Sequence, residues 1–364
     1  MNNLNYRINR PIDLEDDYGH LLFSLTKDEL NKIRKNWGFK GISNLNKKEL
    51  ASELQKRIPV SVNRWLKLID ESIYFLLKEL LTHGGMGIFD IQSEGDLRFL
   101  KYLQERGVLF YGVNQGELLL LIPGEIKKEI QKHLDSNPDL IAKIEENTDL
   151  ILYTIGILVY YGIYPSNKIF RKIERHIDYE IDVLEYLDII FEFSKAYDII
   201  YRYQNNFVLE YVRDLKWLMK EQDKRSELNY YEMVREELIY AGKNILPLPG
   251  SEYRELEKYL KKNDVSKEII KEIMSRLYFD INNGISYPQM VSIIIELVDF
   301  ETQRELKELS EHLLSVYNNT RQWILKGNTP NKINVFKSTT IDREKNNVVS
   351  LDEFRKKRME GPAR

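Results

Sequence analysis

Nine cations stand close together near the start of the chain: Lys27, Lys32, Arg34, Lys35, Lys40, Lys47, Lys48, Lys56 and Arg57. Only Asp28, Glu29, Glu49 and Glu53 oppose them between residues 27 and 58, a local balance of +5. The whole chain has a formal net charge of −3, so this excess is local. Ammonium and guanidinium groups crowded in this way neutralise phosphates and release counterions, the chemistry of binding a nucleic-acid backbone. The same spacing also suits the solvated face of a small helical pair that meets no ligand. Arg98, Lys101, Gln104 and Arg106 form a second, smaller set, opposed by Asp96 and Glu105.

Other chemistries lack their residues. Cysteine is absent, which excludes a disulfide, a thiolate zinc site, an iron–sulfur cluster and a cysteine nucleophile. The histidines, His20, His83, His133, His176 and His312, do not stand at metal-ligand spacing. No Gly-x-x-x-x-Gly-Lys-[Ser/Thr] loop and no Gly-x-Ser-x-Gly elbow occurs. Gly84-Gly85-Met86-Gly87 lacks the spacing of a dinucleotide loop and reads as a flexible turn between helices. The chain is therefore expected to be non-catalytic, with no metal and no cofactor. The 23 tyrosines stand mostly beside Ile and Leu at helical spacing, which assigns them to cores and contacts more than to base stacking.

The elements that must position the cations follow from periodicity and caps. Residues 1–24 read as a partly ordered arm with the acidic run Glu15-Asp16-Asp17. Thr26 with Glu29, and Asn46 with Glu49, are capping boxes that open two helices in the unit 25–58. Gly38 and Gly41 break the first helix, and Pro59 is expected to end the second. Over 61–134 the order is a helix from Trp65 to Leu81, the glycine loop, a helix from Asp96 to Gln104, and a hairpin turning between Gly112 and Gly116, the pattern of a winged-helix-like module. A second such module is expected over 137–225. It has helices at Asp149–Tyr161, from Pro165 to about His176 and from Glu180 to Phe193, then a hairpin around Gln204-Asn205-Asn206. Residues 226–327 read as a helical domain and 328–364 as a disordered tail. Within the tail, Phe354–Arg358 forms a candidate docking cluster. The fold class is thus mainly α with small β-hairpins. Met1 to Pro11 lacks an apolar core, and Leu150 to Tyr164 is shorter than the roughly 20 apolar residues of a span, so no membrane partner and a cytoplasmic location are expected.

Two stretches resemble known families. Leu25-Thr26-Lys27-Asp28-Glu29-Leu30, Ile33, Trp37-Gly38, Gly41-Ile42-Ser43-Asn44-Leu45 and Lys47-Lys48-Glu49-Leu50 resemble the N-terminal helix–extended loop–helix domain of transcription termination factor Rho, a relative of the SAP fold. The resemblance covers only that stretch. It implies nucleic-acid association, and the missing phosphate loop keeps Rho's ATPase out of the comparison. Tyr317 to Asn331 is similar to a segment of bacterial proteins bearing a SecA-type C-terminal zinc motif, but the cysteines of that motif are absent. Trp323 within it reads as a packing residue.

Together these readings give a bacterial or phage nucleic-acid-binding protein of transcription control or termination. RNA or DNA would be contacted by Lys27, Arg34, Lys35, Lys40, Lys47, Lys48, Arg98 and Lys101. The alternative is a protein–protein adaptor whose Rho-like unit and winged-helix-like modules bind protein partners, with the acidic second module, through Asp178, Glu185 and Glu192, or the tail as further contact surfaces. Six acids and no base between Asp178 and Glu192 repel phosphate and favour that use of the second module.

Overall fold

The computed structural model describes residues 10–13, 16–298 and 302–336. Helix makes up 64% of it, in 16 α-helices, with two small three-stranded antiparallel sheets, so the chain is mainly α as its periodicity predicts. It divides into two units, residues up to 151 with 177–200, and residues 152–176 with those from 201 onward. The segment 137–225, expected as one module, is shared between them.

In the first unit the expected arm is largely built into the fold. The Val113 N–H donates to the Arg10 carbonyl at 2.9 Å, and the Ile12 N–H donates to the Val113 carbonyl at 3.3 Å. Gly112 permits this approach, because a Cβ there would lie 2.4 Å from the Arg10 oxygen. Helix α1 (Tyr18–Ser24) starts at Asp17, whose carboxylate caps the His20 N–H, and buries Tyr18, Leu21 and Leu22. Asp17 of the acidic run therefore caps a helix within what the sequence suggested was a partly ordered arm. Residues 1–9, 14 and 15 lie outside the described residues.

Helices α2 (Lys27–Trp37) and α3 (Lys47–Leu66) open with both expected capping boxes. Gly38 ends α2 at φ +68°, a left-handed conformation that glycine adopts without a Cβ clash. Pro59 does not end α3, which runs on to Leu66. Proline removes one helix hydrogen bond, but Ile58, Val62, Trp65 and Leu66 carry a continuous buried face past it, and that burial outweighs the loss. Trp65 thus belongs to α3, and the next helix, α4 (Glu71–Thr82), starts behind the Asp70 cap.

The glycine stretch is a turn followed by strand β1 (Met86–Ile88), where the sequence suggested a loop throughout. After α5 (Glu94–Gln104) come β2 (Phe110–Asn114) and β3 (Glu117–Leu121). The hairpin turns on Gln115 and Gly116 alone, both at positive φ, while Gly112 lies inside β2. Sheet order is β1-β3-β2, with Met86 and Phe110 both opposite Leu121. Helix α6 (Gly124–Ser136), the first part of α7 (Pro138–Tyr161) and α9 (Val183–Tyr197) complete the unit.

In the second unit the rest of α7 leads into β4 (Ile163–Pro165), helix α8 (Ser166–Ile173) and the hairpin β5 (Ile200–Tyr203) and β6 (Asn206–Leu209). The strand order is β4-β6-β5, the same connection order as in the first sheet. Helix α10 (Leu215–Asp223) follows, then α11 (Arg235–Asn244). Gly156 of α7 and Gly242 of α11 let these helices touch at the backbone, since a Cβ on either would lie within 2.4 Å of a carbonyl oxygen of the other helix. Helices α12 (Ser251–Lys262), α13 (Lys267–Asn282), α14 (Tyr287–Leu297) and α15 (Gln303–Asn319) share a core around Leu256, Leu260, Ile273, Leu277, Leu309 and Leu313.

Trp323 is fully buried, and its indole N–H donates to the Val159 carbonyl at 2.7 Å, so the packing role expected for it is the one it has. The start of the expected disordered tail is ordered. Gln322 and Asn328 form a bridge, and α16 (Pro330–Phe336) packs on α15. The buried Thr329 ahead of Pro330 supplies the start that a composition argument overlooks. Residues 337–364, including the Phe354–Arg358 cluster, lie outside the described residues.

Candidate nucleic-acid interface

The order of contacts along α2 and α3 sets the geometry of the basic unit. Ile33 and Ile58 meet at Gly107, and farther along both helices the Arg64 guanidinium donates to the Trp37 carbonyl at 3.4 Å. The two helices therefore run in the same direction. The chain must return between them, and it does so through residues 38–46, with a bend at Gly41 and a turn at Ser43 and Asn44. Lys40 lies beside Arg57, whose guanidinium donates to the Lys40 carbonyl at 3.5 Å, and six residues later Asn46 opens α3. Ten helical residues separate Lys47 from Arg57, about 15 Å at 1.5 Å per residue, a distance within the reach of six residues.

This loop is fastened by cations of the same unit. Arg34 donates to the Phe39 carbonyl at 3.1 Å and to the Asn31 side chain at 3.2 Å. Phe39 stacks on Trp37 with ring centroids 6.0 Å apart and lies under Arg57. Arg57 also grips Glu53 through two hydrogen bonds, of 2.8 and 3.0 Å. Arg34 is thus a clasp for the loop as well as a surface charge.

The remaining expected contacts fall into two groups. Lys27, Lys35, Lys40 and Lys48 are exposed and have no ion-pair partner among the described residues. Lys47 sits 4.4 Å over the Phe23 ring. Because α2 and α3 are parallel, their N-terminal ends point to the same side of the unit, with Lys27 on one and Lys47 and Lys48 on the other. Arg98 and Lys101, on α5, are in a different situation. Arg98 pairs with Asp198, and Lys101 lies 3.8 Å from Glu105, which also receives Lys32 at 3.4 Å.

Helix α9 explains much of this difference. It packs on α5, and the residue expected to face a protein partner, Glu192, is buried there. Its carboxylate pairs with the buried Arg106, accepts the Tyr102 hydroxyl at 2.5 Å and receives Lys195 at 3.2 Å. Tyr102 in turn accepts the Trp65 indole N–H at 2.7 Å. Burial, and then the Glu192 charge, pushes the Tyr102 hydroxyl well above its ordinary pKa, so it stays a donor. Glu192 is therefore withdrawn from any partner surface, because it lies on the same face as Tyr186, Ile189 and Phe193. Asp178 is exposed, and Glu185 is exposed but held by Lys143 at 2.7 Å.

A shallow groove lined by Arg10, Leu25, Glu29, Ile33, Lys101 and Glu105 pairs its charges internally, Arg10 with Glu29 at 3.5 Å. The arrangement can hold a polyanion on exposed lysines. Sequence reasoning passes over the Trp65–Tyr102–Glu192–Arg106 network, whose members are too far apart in the chain to signal one another. It also passes over the bases of α8, Lys168, Arg171 and Arg175, although their spacing by three and four is legible. No protein-family model, curated protein or solved structure matches the chain.

Proposed function

We propose that the chain is a non-catalytic nucleic-acid-binding protein that holds the phosphate backbone of RNA or DNA through residues 25–58. The observation that carries this reading is the set of exposed lysines without ion pairs among the described residues, Lys27, Lys35, Lys40 and Lys48, on a parallel helix pair and the loop that joins it. That helix–loop–helix order agrees with the Rho N-terminal domain, which the sequence resembles. The order helix, strand, helix, hairpin, with the first strand beside the last, agrees with winged-helix-like modules. On this reading the protein acts in bacterial or phage transcription control or termination, in the cytoplasm, and the module over 61–134 serves mainly as scaffold, because Arg98 and Lys101 of α5 already face acids.

The experiment is a salt titration of labelled RNA and duplex DNA binding to the intact chain and to its Lys40→Ala/Lys47→Ala/Lys48→Ala variant. Affinity should fall similarly across probe sequences. The salt slope should flatten by up to about 0.7–0.9 for each phosphate that the variant no longer neutralises. Unchanged affinity and slope would remove this segment from the account.

One observation favours the adaptor reading for another surface. At the start of α9, Leu184 is 68% exposed beside Val183, with Asp182, Glu185 and Asp188 around them. An apolar pair rimmed by acids suits a basic protein partner. Loss of a captured partner on Leu184→Ser, with nucleic-acid binding intact, would support it, and retention would end it.

A further inference from the structure

Helix α8 of the second unit carries Lys168, Arg171 and Lys172, and Arg175 stands two residues past its end, at i+7 from Lys168. Its opposite face buries Ile169, Phe170 and Ile173, so Lys168 and Arg171 face outward, while the Lys172 side chain is largely buried. Past Ile173 residues 174–176 form a hydrogen-bonded turn, with the Arg175 N–H donating to the Lys172 carbonyl at 3.3 Å and the His176 N–H to the Ile173 carbonyl at 2.8 Å. Lys172 is held by Glu232 at 2.6 Å. Lys168, Arg171 and Arg175 are exposed and have no ion-pair partner among the described residues. The β5–β6 turn is fixed beside the helix, because the Ser166 N–H and hydroxyl donate to the Asn205 carbonyl at 2.9 and 3.1 Å.

The charges here are Lys168, Arg171, Lys172 and Arg175 against Glu174 and Glu232, a local balance of +2. Beyond its burial, His176 is held below the usual imidazole range by Arg235, Arg175 and Lys172, against the opposing pull of Glu232. From Lys168 to Arg175 the helix and the turn after it rise about 10 Å. Phosphates of one duplex strand recur about every 3.4 Å along the axis, so the three free bases span roughly three of them. Between these bases α8 exposes no apolar side chain, and protein interfaces centre on apolar or aromatic anchors. We propose that the outer face of α8 is a second phosphate-binding surface, which contacts a nucleic-acid backbone through Lys168, Arg171 and Arg175. This rests on the nucleic-acid reading of the protein but uses none of the residues that carry it.

The test is the salt dependence of oligonucleotide binding to the intact chain bearing Lys168→Ala, Arg171→Ala and Arg175→Ala, between about 50 and 200 mM salt. The slope should fall by up to roughly 2–3, with affinity reduced and melting temperature unchanged. Unchanged slope and affinity in this variant, while the Lys40/Lys47/Lys48 variant is weakened, would overturn the α8 surface and leave the N-terminal reading standing. The reverse pattern would support α8 and overturn the N-terminal reading. An intact chain that binds neither RNA nor DNA would overturn both. Binding of polyglutamate as tightly as nucleic acid, abolished in the α8 variant, would overturn the choice of ligand in favour of an acidic protein.

Discussion

The two three-stranded sheets are joined in the same order, yet the charges around them are placed oppositely. Next to the first, the helix before the hairpin, α5, carries Arg98 and Lys101, and acids have already claimed both. Ahead of the second hairpin, the bases stand on α8 and just past its end, where Lys168, Arg171 and Arg175 have no ion-pair partner among the described residues. A shared connection order therefore does not determine which helix meets a ligand. On the proposed reading, ion pairing inside each unit biases the choice, by no more than about 1 kcal/mol for an exposed pair, because a cation already facing a carboxylate gives up that partner to gain a phosphate.

The largest effect should come from breaking the pair that commits α9 to the first unit. Glu192→Ala leaves Arg106 buried and charged with no counter-charge, which costs about 3–5 kcal/mol. Urea unfolding of the intact chain should show a transition moved to lower denaturant. A change within error would mean that the pair is solvated and that α9 is free for another use. Next in size is Trp323→Ala in the second unit, at about 3–5 kcal/mol for an emptied aromatic site, reduced by whatever the site can collapse. It should destabilise the fold without altering the salt slope of nucleic-acid binding.

A smaller effect separates the two helices directly. Arg98→Ala should change stability by no more than about 1 kcal/mol, as expected for an exposed pair, and should leave nucleic-acid affinity unchanged. A loss of affinity as large as that of the α8 variant would return α5 to the binding surface. The smallest effect is on pH. The folded pKa of His176 lies below its ordinary value, so the imidazole resists protonation in the fold. Its contribution is fully present above the unfolded pKa and is lost as pH falls through the folded one. Mild acidification below about pH 6.5 should lower the melting temperature slightly in the parent and less in His176→Gln. Bound nucleic acid on α8 should raise the His176 pKa, visible in its NMR titration.

How much of this was legible in the sequence depended on how local the signal was. Both capping boxes, the Gly38 stop and the Gln204–Asn205 hairpin turn are encoded within a few residues, and each was readable. Pro59 misled because its local penalty is outweighed by burial at Ile58, Val62 and Trp65, a tertiary effect. Strand β1 is three residues long and exists only because β3 pairs with it across the sheet. The Arg10–Asp13 segment is ordered by a glycine in β2, far along the chain. The site divides in the same way. The exposure of Lys27, Lys40 and Lys48 followed from local charge, whereas the neutralisation of Arg98 and the burial of Glu192 required contacts that no local pattern records.

Lysine acetylation of the intact chain, read residue by residue with and without saturating nucleic acid, tests the central claim most directly. The account predicts that Lys27, Lys35, Lys40, Lys48 and Lys168 lose reactivity on binding, while Lys101, already facing Glu105, does not change. Protection of Lys101 with Lys40 and Lys48 left fully reactive would contradict it.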